Sequence, residues 1–357
     1  METIRFDDFI RLNRGFDLPD YKIEKGEYPV ITSTNIKAFH KEYKVEGPMV
    51  VTGRSGSLGK VQYIEGRCWP LNTSLYVKDY KGNFPRYVYY FLQMMHLEQY
   101  NAGVGVPTLN QNHLHSLKIK IHEKKLQQKI ASILSAYDRL IENNTRRIRL
   151  LEQMAENLYK EWFVRFRFPE HENVEMVNGL PKGWKVKRYE EELNIRYGKG
   201  LSTEQLKEEG YPVFGSNGQI GFYDSYMYED PQILISCRGA SSGIVNISLP
   251  KSFITSNSLI CERTEKTESL YEYLKYYFLN NNLVQYQTGS AQPQITINNI
   301  VKLKLLVPEL KVQRSFSEKI RVIDMEIYNL QSQIQLLTRQ RDLLLPRLMS
   351  GKLEVKS

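Results

Sequence analysis

The chain has 357 residues, 41% of them hydrophobic, which is enough for two or more domains with substantial cores. Its 49 lysines and arginines outnumber its 40 aspartates and glutamates, and the resulting charge of +9 favours a polyanionic partner, nucleic acid before a membrane surface. It has no run of ~18 apolar residues, and its first residues lack an apolar core, so neither a bilayer span nor a signal peptide is expected.

The three cysteines, Cys68, Cys237 and Cys261, form no CxxC pair. An odd number of cysteines in a long chain is typical of reduced thiols, and we interpret these three as buried core residues. Together with the missing targeting patterns, they predict a cytoplasmic protein that does not associate with membranes.

An internal repeat governs the organisation of the chain. Gly15 recurs as Gly198 after 183 residues, Arg54 is matched with Arg238 after 184, and the long helical patterns described below recur after 186. The spacing between matched residues changes by only three positions along the chain. This nearly constant spacing predicts two tandem units of about 180 residues, each with a globular part followed by a long helix.

The globular parts are predicted to be mainly β-structure. An aromatic helix is expected in each unit, at 85–92 and 270–279, where it would pack on the sheet; a stacking surface for nucleic-acid bases is the alternative. Short apolar runs bounded by turn residues predict matching strands in the two units, at 49–52 and 232–236, 74–77 and 258–261, and 117–121 and 303–307.

Two long segments carry a heptad pattern, which requires a partner helix because one helix cannot bury a narrow apolar stripe alone. The first is predicted at 123–165, and the second begins near Pro308 and ends or kinks at Pro346. Only Asn144 and Arg341 are strongly polar in the two seams, and Asn144 is expected to fix the register. The seam residues are Ile130, Leu134, Tyr137, Ile141, Asn144, Ile148, Leu151, Ala155, Leu158 and Trp162, and then Phe316, Ile320, Ile323, Ile327, Leu330, Ile334, Leu337, Arg341, Leu344 and Leu348.

Polar loops follow the predicted strands at equivalent places in the two units. The loop at 53–60 is not a Walker A motif, because five residues separate its first glycine from Gly-Lys and Val61 stands where a Ser or Thr is needed. Arginine, serine and glutamine side chains in such loops suit phosphate or base-edge contacts, although plain turns are the alternative. The candidate nucleic-acid-binding residues are Ser33, Asn35, Arg54, Ser55, Ser57, Thr108, Asn110, Gln111, Ser216, Asn217, Arg238, Ser241, Ser242, Gln292 and Gln294.

No pattern of catalytic residues is found in the sequence. His113 and His115 have no third ligand nearby, so a metal site is not expected. The serine elbow, the HExxH motif, a carboxylate pair and the Asp/Asn-Pro-Pro-aromatic motif of amino-methyltransferases are all missing. Two matched units without catalytic residues predict a recognition protein, not an enzyme.

Three segments in this order resemble the specificity subunit of type I restriction–modification systems: Leu-Pro-Lys-Gly-Trp at 180–184, Arg-Gly-Ala-Ser-Ser-Gly at 238–243 and Gly-Ser-Ala-Gln-Pro-Gln-Ile at 289–295. The tandem repeat and its two heptad helices extend the resemblance over almost the whole chain. The first unit departs from the pattern, with Gly-Val-Gly-Val-Pro-Thr at 103–108.

The resemblance implies an α+β fold in which two β-rich target recognition domains each precede a long helix, and the two helices pair as an antiparallel coiled coil. It also implies double-stranded DNA as ligand, read as two half-sites, with two modification subunits and further restriction subunits as partners. S-adenosylmethionine, ATP and Mg²⁺ would act on those other subunits, and this chain would hold no cofactor. The implied segments are recognition domain 1 at 1–122, spacer helix 1 at 123–165, a linker at 166–183, recognition domain 2 at 184–307 and spacer helix 2 at 308–350.

Two alternatives remain open from the sequence. The chain could instead partner a fused methyltransferase–nuclease of the type II kind, or it could be a non-catalytic coiled-coil scaffold that binds protein. The basic residues Arg146, Arg147 and Arg149 lie beside the seam, either as a solvated flank or as a contact to DNA or an acidic subunit.

Overall fold

The computed structural model describes residues 1–289 and 292–355, so Ser290 and Ala291 of the glutamine segment lie outside the described residues. The chain divides into two compact units. Unit 1 comprises Met1–Arg146 and Gln331–Ser357, and unit 2 comprises Arg147–Leu330. Each unit therefore contains one globular part together with a portion of both long helices.

The strands of unit 1 are short: β1 (Glu2–Arg5), β2 (Arg11–Arg14), β3 (Lys25–Ile31), β4 (Ile36–His40), β5 (Met49–Gly53), β6 (Val61–Ile64), β7 (Trp69–Pro70), β8 (Ser74–Asp79) and β9 (Lys118–Ile121). They form a four-stranded sheet in the order β2–β8–β5–β6, a three-stranded sheet in the order β4–β3–β7 and the pair β1–β9. Strand β5 is buried along its whole length, since it lies between two strands and carries β-branched side chains.

The strands of unit 2 repeat this plan, with one additional hairpin before them: β10 (Met176–Val177), β11 (Leu180–Pro181), β12 (Lys185–Arg188), β13 (Leu193–Tyr197), β14 (Tyr211–Gly215), β15 (Gly218–Tyr223), β16 (Ile233–Ser236), β17 (Val245–Ile247), β18 (Phe253–Ile254), β19 (Ser258–Arg263) and β20 (Lys304–Val307). The sheets run in the orders β13–β19–β16–β17 and β15–β14–β18, with β12 paired to β20 and β10 to β11. All strand neighbours are antiparallel except β3 with β7 and β14 with β18.

Short helices cover the sheets in both units: α1 (Phe6–Phe9), α2 (Pro85–Met94) and α3 (Gln111–Ser116) in unit 1, and α5 (Tyr189–Glu192), α6 (Tyr271–Asn280) and α7 (Ile297–Ile300) in unit 2. Helices α2 and α6 are the predicted aromatic helices. Tyr87 and Tyr90 are buried in the core of unit 1, and Tyr273 and Tyr277 in that of unit 2. These rings therefore pack in the core and are not available to stack on nucleic-acid bases.

The two heptad segments form the long helices α4 (Lys124–Tyr159) and α8 (Leu310–Met349). Helix α4 ends earlier than predicted and continues as a π-helical turn at Lys160–Val164, whose wider spacing lets the consecutive aromatic residues Trp162 and Phe163 both pack in the core. Pro346 lies inside α8 and does not end it, because the last turn is held by Leu348 and Met349 in the core of unit 1.

The long helices pair antiparallel within each unit. In unit 1, Arg341 lies 2.8 Å from Asp138, while the later α4 residue Asn144 meets the earlier α8 residue Gln333 at 3.1 Å. In unit 2, Arg147 meets Glu326 at 2.7 Å, and the Tyr159 ring lies 6.4 Å from the Phe316 ring. The predicted α+β fold with an antiparallel helix pair is confirmed.

The seam residues lie in the helix interface or beside it, and all of them are buried or half-buried. Asn144 is buried, and its side-chain amide donates to the Gln333 carbonyl oxygen. This bond supports the prediction that Asn144 fixes the register, because a buried amide pairs well in only one alignment. The fully buried seam residues are Ile130, Leu134, Asn144, Ala155, Trp162, Phe316, Ile320, Ile323, Leu330 and Leu348.

Candidate nucleic-acid interface

Two loops meet at one edge of the unit 1 sheets. The loop 54–60 follows β5, and residue Ser55 pairs with Thr108 of a second loop. The Gly56 N–H donates to the Pro107 carbonyl at 2.9 Å, and the Leu109 N–H donates to the Arg54 carbonyl at 2.8 Å. Backbone hydrogen bonds therefore hold Ser55 and Thr108 side by side at the surface.

The turn between β3 and β4 joins this edge. The end of β5 packs closely against this turn, and glycine is required at position 53. A Cβ at Gly53 would lie 2.0 Å from the Ser57 carbonyl oxygen and 3.1 Å from the Ser33 Cβ. Asn35 is exposed, and its side-chain oxygen accepts a 2.7 Å bond from the Thr32 hydroxyl. The candidates Ser33, Asn35 and Ser57 thus lie together with Ser55 and Thr108.

Two other unit 1 candidates lie at the start of α3. The Asn110 side chain accepts from the Asn112 N–H at 2.9 Å and caps α3, the local function that asparagine serves at helix starts. The Gln111 side chain is half-buried, and its carbonyl oxygen is inaccessible to solvent and has no partner among the described residues. The Gln111 side chain therefore lies partly inside the fold.

Arg54 is anchored within its own unit. Its Nε donates to the Asn72 carbonyl at 2.8 Å, and the Asn72 side chain donates in turn to Asp17. Burial lowers the pKa of the Arg54 guanidinium, and the nearby charge of Arg14 lowers it further, while Asp17 opposes this. The side chain is half-buried and holds the loop against the turn that precedes β8.

Unit 2 builds the same edge with different side chains. The Gly239 N–H donates to the Pro293 carbonyl at 3.1 Å, and the Ile295 N–H donates to the Cys237 carbonyl at 3.0 Å. Arg238 pairs with Gln294 in this arrangement, and the side chains of Arg238, Gln292 and Gln294 are exposed. Three long polar side chains therefore occupy one surface of unit 2.

The β14–β15 turn lies beside this surface. The Ser236 hydroxyl donates to the Ser216 carbonyl, and the Ser258 hydroxyl donates to the Gly215 carbonyl at 3.1 Å. Ser216 is half-buried, and Asn217 is exposed at the tip of the turn. Both candidates belong to the same edge as the Arg238 loop.

Ser242 requires a correction, because its side chain is 0% exposed and its hydroxyl oxygen is inaccessible to solvent. The loop turns inward here, where the Gln287 side chain donates to the Ser242 carbonyl. A hydroxyl in this position cannot contact DNA. The neighbouring Ser241 is half-buried and remains a candidate.

The structure also corrects the pairing of Arg54 with Arg238. The Arg54 N–H donates to the Thr73 carbonyl, whereas in unit 2 it is the Cys237 N–H that donates to Asn257. The loop has seven residues in unit 1 (54–60) and eight in unit 2 (237–244). The first loop residues of the two units are therefore 183 positions apart in the sequence, and the last loop residues are 184 positions apart. The counterpart of Arg238 is Ser55.

The sequence interpretation missed one pair of buried residues, although both lie at the repeat spacing of 186. Gln127 accepts from the Phe84 N–H at 3.1 Å and donates to the His122 carbonyl at 2.9 Å. In unit 2, Gln313 accepts from the Leu270 N–H at 2.7 Å and donates to the Pro308 carbonyl at 2.7 Å. The sequence contained a signal for this pair, because a glutamine recurs after 186 residues beside each apolar seam.

Metal and membrane features are not found in the described part of the chain. It contains no group of three or more histidine, cysteine, aspartate and glutamate side chains that could hold a metal ion. The Nε2 of His115 accepts from the Leu12 N–H at 3.1 Å, and burial lowers the pKa of this imidazole. None of the helices in residues 1–289 and 292–355 combines the length and apolar character needed to cross a bilayer.

These features define a two-unit protein with a pair of equivalent loop surfaces and two long helices. A family model described as the type I restriction modification DNA specificity domain matches residues 1–153 and 181–338. The chain therefore belongs to the family of type I restriction–modification specificity subunits and carries two copies of their specificity domain. The resemblance inferred from the sequence segments is confirmed.

Relatives of known class span most of the chain. The MjaIX specificity subunit of Methanocaldococcus jannaschii is 26% identical over 377 residues, covering 95% of this chain and 86% of that protein. The MjaVIII specificity subunit from the same organism is 22% identical and covers 100% and 93%. The crystal structure of a type I restriction–modification S subunit from M. genitalium, at 19% identity, has a TM-score of 0.68 over 99% of this chain and 96% of that chain, which shows a shared fold.

Proposed function

We propose that this chain reads a two-part DNA sequence for a type I restriction–modification complex, with one recognition domain for each part. The observation that carries this proposal is the repeated loop edge: Ser55 and Thr108 in unit 1 and Arg238 and Gln294 in unit 2 are presented by equivalent backbone bonds. Equivalent backbone arrangements that carry different side chains suit two surfaces that distinguish different base sequences.

The assembly forms the second part of the proposal. Two modification subunits would carry S-adenosylmethionine and methylate adenine, and restriction subunits would use ATP and Mg²⁺, so this chain would need no cofactor of its own. The domain bounds 1–122 and 184–307, with spacer helices at 123–165 and 308–350, are part of this proposal. Because its ligand is cellular or incoming DNA, we place its action in the cytoplasm.

The test is base-resolution mapping of methylated adenines in cells that carry this chain and its modification partner. We expect a motif with two specified parts separated by unspecified bases. Replacing residues 1–120 by those of a relative should change one part and leave the other intact. A continuous motif, or a change in both parts, would contradict the proposal.

Two alternatives predict different outcomes. A fused methyltransferase–nuclease of the type II kind as partner would give the same two-part motif but would be encoded beside this chain as a single gene. A protein scaffold would give no motif, and the purified chain with its modification partner would bind specific and random DNA equally. The exposed Arg238 and Gln294 favour DNA over this scaffold role.

A further inference from the structure

The backbone of the two loop edges can be superimposed residue by residue from its hydrogen bonds. Gly56 bonds to Pro107 in unit 1, and Gly239 bonds to Pro293 in unit 2. The two glycines also share a left-handed backbone, with φ of 85° at Gly56 and 75° at Gly239. Nothing lies within 4 Å of a Cβ at either glycine, so the conformation and not crowding requires glycine there.

The side chains that precede these glycines differ in kind. Immediately before Gly56 stands Ser55, and immediately before Gly239 stands Arg238. The bridging loops complete the comparison, because Thr108 pairs with Ser55 as Gln294 pairs with Arg238. Two positions before Thr108 and Gln294 stand Val106, 59% exposed, and Gln292, also exposed.

We propose that Ser55, Val106 and Thr108 in unit 1, and Arg238, Gln292 and Gln294 in unit 2, are the equivalent positions that set the base sequence of each half-site. This inference rests on the proposed function and specifies its residues. Unit 2 reads purine edges: the guanidinium of Arg238 suits the O6 and N7 of guanine, and a glutamine amide suits the N6 and N7 of adenine. Unit 1 offers the Ser55 hydroxyl and the apolar Val106 side chain, and Val106 suits a thymine methyl group. The Thr108 hydroxyl donates to the Val106 carbonyl at 2.9 Å, so it is left as an acceptor.

Arg54 is excluded from this set by its own contacts. Its counterpart in unit 2 is Cys237, whose Sγ lies 3.5 Å from the Ser256 carbonyl oxygen, as the Arg54 Nε lies 2.8 Å from that of Asn72. Both side chains therefore point back toward the turn before the neighbouring strand. The Arg238 side chain, by contrast, is exposed and extends from a backbone that the Gly239 and Ile295 N–H bonds hold in place.

The experiment compares Arg238→Ala with Arg54→Ala in the full chain assembled with its modification partner. Methylated motifs are mapped at base resolution, and duplexes with each base at each specified position are compared in competition binding. Arg238→Ala should make one position of one half-site degenerate, with discrimination reduced about 5- to 150-fold there. Arg54→Ala removes the bond that holds the unit 1 loop, and it should leave the base preference at the position read by Arg238 in unit 2 unchanged.

Arg238→Lys is the second variant, because it keeps the charge and the exposed stem but loses the planar fork. It should assemble normally and still lose discrimination at that same position. Unchanged motifs in both Arg238 variants, or loss of discrimination at that same unit 2 position in Arg54→Ala, would overturn the inference while the two-part wild-type motif remained. A wild-type complex without a two-part motif would overturn the proposed function as well.

Discussion

Gln127 and Gln313 show, at the scale of single residues, how the repeat conserves a buried polar contact. Each side-chain amide accepts a backbone N–H at the start of an aromatic helix and donates to a carbonyl just before a long helix. Both side chains are almost completely buried. Such an amide is costly to remove, because the carbonyl to which it donates belongs to a buried hydrogen bond.

Gln127→Ala should lower the free energy of unfolding by about 2–6 kcal/mol, since the Phe84 N–H and the His122 carbonyl lose their partners at roughly 1–3 kcal/mol each. The neighbouring Gln128 is exposed, and Gln128→Ala is the matched control, expected to change stability by less than about 0.5 kcal/mol. Denaturant titration of the full chain measures both. Equal effects of the two substitutions would show that the contacts of Gln127 do not stabilise the fold.

Arg54 and Ser242 show that residue type alone does not determine whether a side chain can reach DNA. Both have residue types that suit DNA, yet one is anchored to the Asn72 carbonyl and the other is buried. Residue type indicates what a side chain can bind. The direction in which it points depends on neighbours far along the chain.

Each long helix carries an aspartate at the same position of the repeat, and each aspartate accepts side-chain hydrogen bonds. Asp138 accepts bonds from the Tyr90 hydroxyl and from Arg341 in unit 1. Asp324, at the repeat position, accepts from the Tyr276 hydroxyl at 3.0 Å and from Lys275 at 2.7 Å in unit 2. Burial raises the pKa of the Tyr90 hydroxyl, and its bond to Asp138 raises it further. The tyrosine–aspartate bond is repeated, whereas the cation comes from a different element in each unit.

The Asp138–Arg341 pair should be coupled more strongly than an exposed pair on the same helices. Its side chains are 20% and 28% exposed, against 53% and 40% for Arg147 and Glu326. We expect a coupling energy of about 1–3 kcal/mol for the first pair, since it is partly desolvated and hydrogen-bonded, and below about 1 kcal/mol for the second. Double-mutant cycles with alanine, followed by denaturant unfolding, measure both; similar coupling energies would contradict this expectation.

The two long helices set the separation of the half-sites in our proposal for the whole molecule. Inserting one heptad after Thr145 and another before Gln331 keeps both seams in phase, because seven residues restore the apolar register. Seven residues lengthen a helix by about 10 Å, which corresponds to about three base pairs of DNA. The methylated motif should keep both half-sites and gain about three unspecified bases between them.

A four-residue insertion in α4 alone is the control for this experiment. It shifts the α4 seam against that of α8, so it should destabilise the helix pair and reduce methylation without producing a new defined spacing. If the double heptad variant modified a motif with the original spacing, the helices would not set the distance between half-sites.

The repeat, the two long helices, their seams and the strands at 49–52 and 233–236 follow from the sequence alone. Each depends on local periodicity or on a short apolar run, and such signals are carried by neighbouring residues. The same information placed the polar loops after the strands. Seven of the fifteen candidates are exposed, among them Arg238, Gln292 and Gln294, and seven more are half-buried, which agrees with positions in loops.

Only the tertiary structure determined the antiparallel pairing inside each unit and the one-residue difference between the two loops. The loop difference became visible through bonds such as Arg54 to Thr73 and Cys237 to Asn257, which join residues about twenty positions apart. A sequence match fixes the residue types but leaves the insertion point open, because glycine and serine occur throughout these loops. The long-range hydrogen bonds remove that ambiguity, and they identify Ser55 rather than Arg54 as the counterpart of Arg238.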